Sequence, residues 1–89
     1  MKESNAMPLY MDVHDRVEEL TAEAVAGAHE KDLEVQGTHG VNYHKYWFDT
    51  ESGKVFCLVE APSKEAAERV HREAHGLVAD QIYEVQEGS

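Results

Sequence analysis

The chain has 89 residues, with 18 acidic against 8 basic side chains and a formal net charge of −10. This charge argues against nucleic acid and anionic membranes as partners, because both are bound through cationic surface. No apolar run approaches the roughly 18 residues that a membrane-spanning helix needs, and from the lack of a basic-then-apolar pattern at the start we expect no signal peptide. The single cysteine, Cys57, cannot form an intrachain disulfide, so we expect a cytoplasmic protein.

The first six residues, MKESNA, are polar and show no periodicity. We expect residues 1–6 to be a cloning remnant or disordered, and we place a single domain at residues 7–87. The first element is expected at Pro8–His14, a strand with one apolar and one mixed face. Its apolar face would carry Leu9, Met11 and Val13, and its mixed face Tyr10, Asp12 and His14.

A helix is predicted next, opening at Thr21 and continuing through the run TAEAVAGAHEKDLEVQ to Gln36. Thr21 is a favourable N-cap residue, and the run is rich in Ala, Glu, Lys and Leu, which are good helix formers. Gly37 and Gly40 follow and are expected to end the helix.

Two further strands are predicted at Val41–Asp49 and Lys54–Glu60, joined by the short turn Thr50–Gly53. Both runs are rich in aromatic and β-branched residues, which suit a pleated and half-buried surface. The short separation predicts that they form a β-hairpin.

A second helix is expected after Pro62, with Ser63 as its N-cap and Gly76 at its end. Small and apolar residues recur within it at helical spacing. The last strand is expected at Ala79–Gln86, where the alternation of apolar and polar residues is weak.

The order β-α-β-β-α-β with right-handed crossovers predicts an α+β, ferredoxin-like fold. In this fold both helices cover one face of a four-stranded antiparallel sheet and leave the other face open. The second and third strands carry large apolar groups on both faces, so a monomer would expose an apolar patch. We therefore expect a homodimer in which two sheets pack face to face.

The second helix places His71 and His75 at positions i and i+4, where Cβ atoms lie about 5–6 Å apart on one side of the helix. That geometry chelates a divalent ion. The alternative is one half-buried histidine and one exposed histidine near the helix C-terminus, where a cation suits the helix dipole. In the first helix His29 and Asp32 form a similar pair at i and i+3, which is either part of the same site or a solvated helix face.

Asp12 and His14 share one face of the first strand. If the Leu9, Met11 and Val13 side faces the helices, Asp12 and His14 point into the dimer interior, together with His44 and Tyr46. They would form an ionisable cluster there, or a hydrated polar rim. Glu60, at the end of its strand, either faces inward or is exposed, as glutamate usually is, and we expect Cys57 to be a small buried hydrophobe.

The segments FCLVEAP, VHREAHG and the AHxxD pattern of AHEKDLEVQ resemble a family of small ferredoxin-like proteins formerly described as a domain of unknown function. Its best-described branch is an actinobacterial nickel-binding, nickel-responsive protein. The likeness covers nearly all of residues 7–87. It implies a dimeric α+β barrel that binds nickel or another divalent transition metal, with no catalytic activity established for the family.

Candidate metal ligands are taken from the segments that match the family. Imidazole and carboxylate donors suit nickel, and the lack of a second thiol argues against a thiolate site. The candidates are His29, Asp32, His44, Glu60, His71 and His75, with Asp12 and His14 as weaker additions.

The leading hypothesis is thus a cytoplasmic, homodimeric protein that binds a divalent metal and buffers or senses nickel. The alternative is a small dimeric α+β barrel enzyme, of the oxygenase or isomerase type, with His71 as general base and Asp32 or Glu60 orienting it. A third interpretation is an interaction module without a ligand. Recognition of RNA by the same topology is not expected, because the basic and aromatic pattern is missing.

Overall fold

A computed structural model describes residues 7–88 of the chain. The expectation for residues 1–6 lies outside the described residues, and the single domain at residues 7–87 stays a prediction. No helix of the described part is long and apolar enough to cross a membrane.

Four strands and two α-helices alternate as the sequence predicts. The strands form one antiparallel sheet in the order β2-β3-β1-β4, which confirms the ferredoxin-like α+β fold with both helices on one face. The elements are β1 (Leu9–His14), α1 (Ala22–Val35), β2 (Asn42–Asp49), β3 (Lys54–Glu60), α2 (Lys64–Ala74) and β4 (Gln81–Val85).

The helix boundaries follow the predicted capping residues. The hydroxyl of Thr21 accepts the Ala24 N–H at 3.0 Å, and that of Ser63 accepts the Ala66 N–H at 3.2 Å. Gly76, at φ +80°, adopts the left-handed conformation that ends α2. These contacts satisfy backbone donors that the first turn of a helix leaves without partners.

A 3₁₀ turn at Gln36–His39 follows α1 and was not expected from the sequence. The side-chain oxygen of Gln36 accepts the backbone N–H of Tyr43 at 2.7 Å, which joins the turn to β2. This contact fixes the position of α1 relative to the strand that carries Tyr43.

The core lies between the sheet and the two helices. Helix α2 contributes Ala66, Ala67 and Val70, whose small side chains let the helix approach the strands closely. His71 follows on the same buried side and is only 2% exposed. The core is therefore apolar around a polar centre.

The face of β1 that meets the helices differs from the sequence interpretation. Asp12 and His14 point toward α2 and not into a dimer interior, and Asp12 is 0% exposed. Burial of Asp12 is tolerated because His71 and Tyr43 supply partners for its carboxylate. The alternation of apolar and polar residues in β1 had instead predicted that its more apolar side faces the helices.

The opposite face of the sheet is not covered by the described residues. Trp47 and Tyr83 on this face are 49% and 55% exposed. Apolar side chains such as Phe56 and Leu58 lie on the same face, and so do the polar side chains of His44 and Glu60. Homodimerisation through it stays a prediction.

Candidate metal centre

His71 is the centre of the buried polar cluster. Its Nδ1 lies 2.9 Å from Oδ1 of Asp32, on α1, and its Nε2 lies 3.0 Å from Oδ2 of Asp12, on β1. The two carboxylates are 2% and 0% exposed. One imidazole ring therefore joins both helices to the sheet through two buried carboxylates.

The charges of this cluster depend on one another. Burial alone would lower the pKa of His71, but the carboxylates of Asp12 and Asp32 raise it to about 11. Burial would raise the pKa of Asp12, but His14 and His71 hold it at about 2. The pKa of Asp32 is lowered in the same way, against the effect of burial, by His71 and His75. At neutral pH the centre is an imidazolium between two carboxylates.

His75 approaches the same carboxylate from the end of α2. Its Nε2 lies 3.1 Å from Oδ1 of Asp32, and its ring centroid lies 4.8 Å from that of His71. The structure thus places His71 and His75 on the same side of α2, and their role as metal ligands stays a prediction. The backbone N–H of Leu77 donates to Nδ1 of His75 at 3.1 Å, so a neutral His75 ring carries its proton on Nε2.

Two groups of potential metal ligands meet at His71. We call Asp32, His71 and His75 the helix group, because all three lie on or at the end of a helix. The strand group consists of His71 with Asp12, His14 and Cys57, three residues of β1 and β3. Within each group the ligand atoms all lie within 4.8 Å of one another.

Cys57 and His14 complete the strand group. Burial raises the pKa of the Cys57 thiol to about 11. His14 places its Nε2 3.5 Å from Oδ1 of Asp12, and its ring centroid lies 5.1 Å from that of His71. The sequence interpretation treated Cys57 as a buried hydrophobe only, and the antiparallel pairing of β1 with β3 places it opposite Asp12.

Several polar atoms of the cluster are buried without a hydrogen-bond partner among residues 7–88. They are Oδ1 of Asp12, Nε2 of His71 and Nε2 of His75. Each has an ionisable side-chain atom within 3.5 Å, but as the side chains stand these pairs do not form hydrogen bonds. Buried unpartnered atoms of this kind are unusual. The three atoms belong to two groups of potential ligands that share His71, and nitrogen and oxygen donors of this kind suit a divalent transition metal such as nickel.

Tyr43 supports the cluster and was not recognised as a functional residue from the sequence. Its hydroxyl lies 3.2 Å from Oδ2 of Asp12 and 3.1 Å from the carbonyl oxygen of Ala67, and its ring stacks on His71 at 4.7 Å. Burial, and then the charge of Asp12, raise the pKa of Tyr43, so the hydroxyl remains a donor. An aromatic residue in a strand predicts core packing, and only the fold shows the donor role.

Three other predicted ligands lie apart from these two groups. His29 packs against the ring of Tyr46, with centroids 4.8 Å apart. His44 and Glu60 lie on the open face of the sheet, where their side chains approach to 3.4 Å. Of the two alternatives for Glu60, the structure shows the one that does not face inward, because the alternation of β3 points Val59 into the core. A metal role for these three residues stays a prediction.

A small cavity of about 70 Å³ opens beside the helix group. Apolar side chains from α1 and β3, including Val25 and Val55, form much of its wall. Asp32, His71 and His75 also line it, as do His14, Cys57 and His29. One water needs roughly 10–15 Å³ of such space and two to four polar partners, so water in this cavity would be held at these polar residues.

The fold and the cluster together define a small ferredoxin-like protein with a candidate centre for a divalent transition metal. The family model described as "Nickel responsive protein SCO4226-like" matches residues 10–85, and the chain belongs to this family. This confirms the family resemblance predicted from the sequence.

One solved structure is similar over almost the whole chain. It is described as "Crystal structure analysis of SCO4226 from Streptomyces coelicolor A3(2)". The two chains are 40% identical, the match covers 91% of this chain and 99% of that one, and the TM-score is 0.85. No match was found among curated proteins.

Proposed function

We propose that the protein binds one nickel-like divalent ion per chain at the helix group and serves as a cytoplasmic, homodimeric metal buffer or sensor. The observation that carries the proposal is the convergence of two histidine nitrogens on one buried carboxylate oxygen: Nδ1 of His71 and Nε2 of His75 lie 2.9 and 3.1 Å from Oδ1 of Asp32. Nε2 of His75 is buried and has no hydrogen-bond partner among the described residues. The family description as nickel responsive supports the choice of ion.

The helix group suits nickel better than it suits a closed structural metal site. It offers two imidazoles and one carboxylate. These donors suit nickel, because nickel accepts tetragonal or octahedral coordination by nitrogen and oxygen. Three protein ligands leave further positions for water, which the adjoining cavity can supply. Asp12 would then accept the Nε2–H of His71 and orient the ring, as carboxylates behind metal-bound histidines commonly do.

Binding must displace protons from this centre. His71 is protonated at neutral pH, and only a deprotonated ring nitrogen has a lone pair for a metal. In a neutral His75 the proton must move from Nε2 to Nδ1, which releases no proton but breaks the hydrogen bond from Leu77. The bound ion supplies the positive charge that replaces the proton lost by His71.

The test is a calorimetric titration of chelator-stripped protein with Ni²⁺, Zn²⁺, Cu²⁺ and Co²⁺, with the mass of the dimer followed alongside. We expect one Ni²⁺ per chain and at least a tenfold loss of affinity in Asp32→Asn and in His75→Ala. His44→Ala, which removes a histidine from the open face, is the matched control and should bind as the wild type does. Unchanged affinity in both helix-group variants would exclude this site.

The homodimer is proposed from the open sheet face. Trp47 and Tyr83 leave large aromatic surface in water on a chain of 89 residues. Small domains bury a limited fraction of their surface, so covering this face would add stability. Sedimentation of wild type and Trp47→Glu tests this: the wild type should be dimeric and the variant largely monomeric. A monomeric wild type would contradict it.

The enzyme alternative is less well supported. A general base must be unprotonated near the working pH, whereas the two carboxylates hold the pKa of His71 at about 11. His71 is therefore better suited to exchange a proton for a metal ion than to accept one from a substrate.

A further inference from the structure

We propose a second, alternative metal site in the strand group, selective for thiophilic ions and mutually exclusive with the helix group because both need His71. The inference rests on the proposed function and extends it. It assigns Cys57, His14 and Asp12 as ligands, and it limits each chain to one ion at a time.

The donor chemistry of the two groups differs. The strand group combines a thiol, a carboxylate and two imidazoles, which is a complete set for tetrahedral zinc or cadmium. The helix group has no sulfur and only three donors. A soft ion that prefers thiolate is therefore drawn to Cys57, and a nickel-like ion to His75 and Asp32.

The strand group also has the geometry of a site that needs little rearrangement. Its ligand atoms lie within 4.8 Å of one another. Two ligands of one ion, each at about 2.0–2.3 Å, are at most about 4.6 Å apart. All four residues are buried, and Oδ1 of Asp12 and Nε2 of His71 have no hydrogen-bond partner among the described residues. Both unpartnered atoms belong to this group.

Exclusion follows from the two nitrogens of His71. Nδ1 lies 2.9 Å from Asp32 of the helix group, and Nε2 lies 3.0 Å from Asp12 of the strand group. A neutral imidazole has one lone pair and one N–H. If Nδ1 binds an ion, Nε2–H donates to Asp12, and if Nε2 binds an ion, Nδ1–H donates to Asp32. The carboxylate of the unused group thus becomes the hydrogen-bond acceptor that orients the ring.

The experiment uses Ni²⁺ and Cd²⁺ as probes on the full chain. Native mass spectrometry gives the number of ions bound with each metal alone and with both together, and ultraviolet absorption reports a cadmium–thiolate bond. We expect one ion per chain in all three cases. The thiolate band should appear with Cd²⁺, and it should be absent with Ni²⁺.

Matched variants separate the two sites. Cys57→Ser should weaken Cd²⁺ at least tenfold, abolish the thiolate band and change Ni²⁺ affinity less than threefold. His75→Ala should weaken Ni²⁺ binding at least tenfold, change Cd²⁺ affinity less than threefold and leave the cadmium–thiolate band in place. Circular dichroism checks that each variant is folded, and Cys57→Ala replaces the serine variant if that one is unfolded.

The outcomes distinguish this inference from the proposed function. Two ions bound per chain at the same time, or an equal loss of both metals in Cys57→Ser, would overturn the alternative sites and leave nickel binding intact. Failure of the wild type to bind Ni²⁺ or Cd²⁺ would overturn the proposed function, and this inference with it. The wild-type stoichiometry does not depend on any variant folding.

Discussion

Replacement of His71 by alanine should destabilise the metal-free protein strongly at neutral pH. The imidazolium is the shared partner of Asp12 and Asp32, at 3.0 and 2.9 Å, and both carboxylates are almost fully buried. Removing one member of a buried ion pair costs about 3–5 kcal/mol, because the remaining charge is left uncompensated. That is a large part of the roughly 5–15 kcal/mol that stabilises a typical domain.

The pH dependence of this loss follows from the titration of His71. The pKa of His71 is about 11 in the folded protein, above the ordinary 6.5, so its stabilising contribution is fully present below pH 6.5 and is lost as the pH rises through 11. The wild type keeps both carboxylates ionised between pH 7.5 and pH 5, because their pKa values are lowered. In the variant Asp12 retains His14 and Asp32 retains His75 as partners. The destabilisation caused by His71→Ala should therefore be larger at pH 5 than at pH 7.5.

The assay is urea unfolding followed by circular dichroism, in chelator, at pH 7.5 and pH 5. His44→Ala is the control, since its partner Glu60 is partly exposed and such pairs contribute about 0–1 kcal/mol. A loss below about 1 kcal/mol in His71→Ala, or a loss that is the same at both pH values, would refute the proposed charge pairing.

Three further predictions concern protons in the same cluster. Addition of Ni²⁺ at pH 7.5 should release about one proton from His71, whose pKa is about 11, whereas an ordinary imidazole is only about one-tenth protonated there. Calorimetry in buffers of different ionisation enthalpy measures this release, and a value near zero would contradict it. Asp12 has a folded pKa of about 2, below its ordinary 3.8, so its contribution is present above pH 3.8 and is lost as the pH falls through 2. Acid titration should show this loss, on the order of 2 kcal/mol, and Asp12→Asn should lack it. Finally, the amide signal of Leu77 should shift and exchange faster with solvent when Ni²⁺ binds, because its acceptor on His75 becomes the protonated nitrogen; an unchanged signal would mean that His75 does not ligate through Nε2.

The helical part of the site was predictable because helical spacing is local. His71 and His75 share a helix face at any helix rotation, and the structure places both on Asp32. The pairing of His29 with Asp32 at i and i+3 could be read from the sequence just as well. The rotation of α1 about its own axis, however, decides which of the two side chains is buried. That rotation is set by packing against α2 and β2, so Asp32 enters the cluster and His29 packs on Tyr46.

The strand part was harder to predict because β1 alternates two plausible faces. Leu9 and Met11 mark the more apolar side, and a rule based on hydrophobicity turns that side toward the helices. The structure turns Asp12 and His14 inward instead, since His71 compensates the buried carboxylate. His71 lies 59 positions from Asp12 along the chain, so the sequence of β1 itself gives no indication of this partner.

Cys57 and Tyr43 show the same limit. Each lies in a strand whose composition predicts core packing, and each is buried as that prediction requires. Their polar atoms acquire a role only because the sheet order sets β3 beside β1 and β2 beside β3. Register, and not composition, brings the thiol and the phenol to Asp12.

The most direct test of the nickel site is an anomalous difference map, recorded at the nickel absorption edge, from crystals of the full chain grown with Ni²⁺. We predict one strong peak per chain, bounded by Asp32, His71 and His75, with the ring of His71 bound through Nδ1. A peak between His44 and Glu60, or no ordered peak in protein shown to be saturated with Ni²⁺, would contradict the assignment of the helix group.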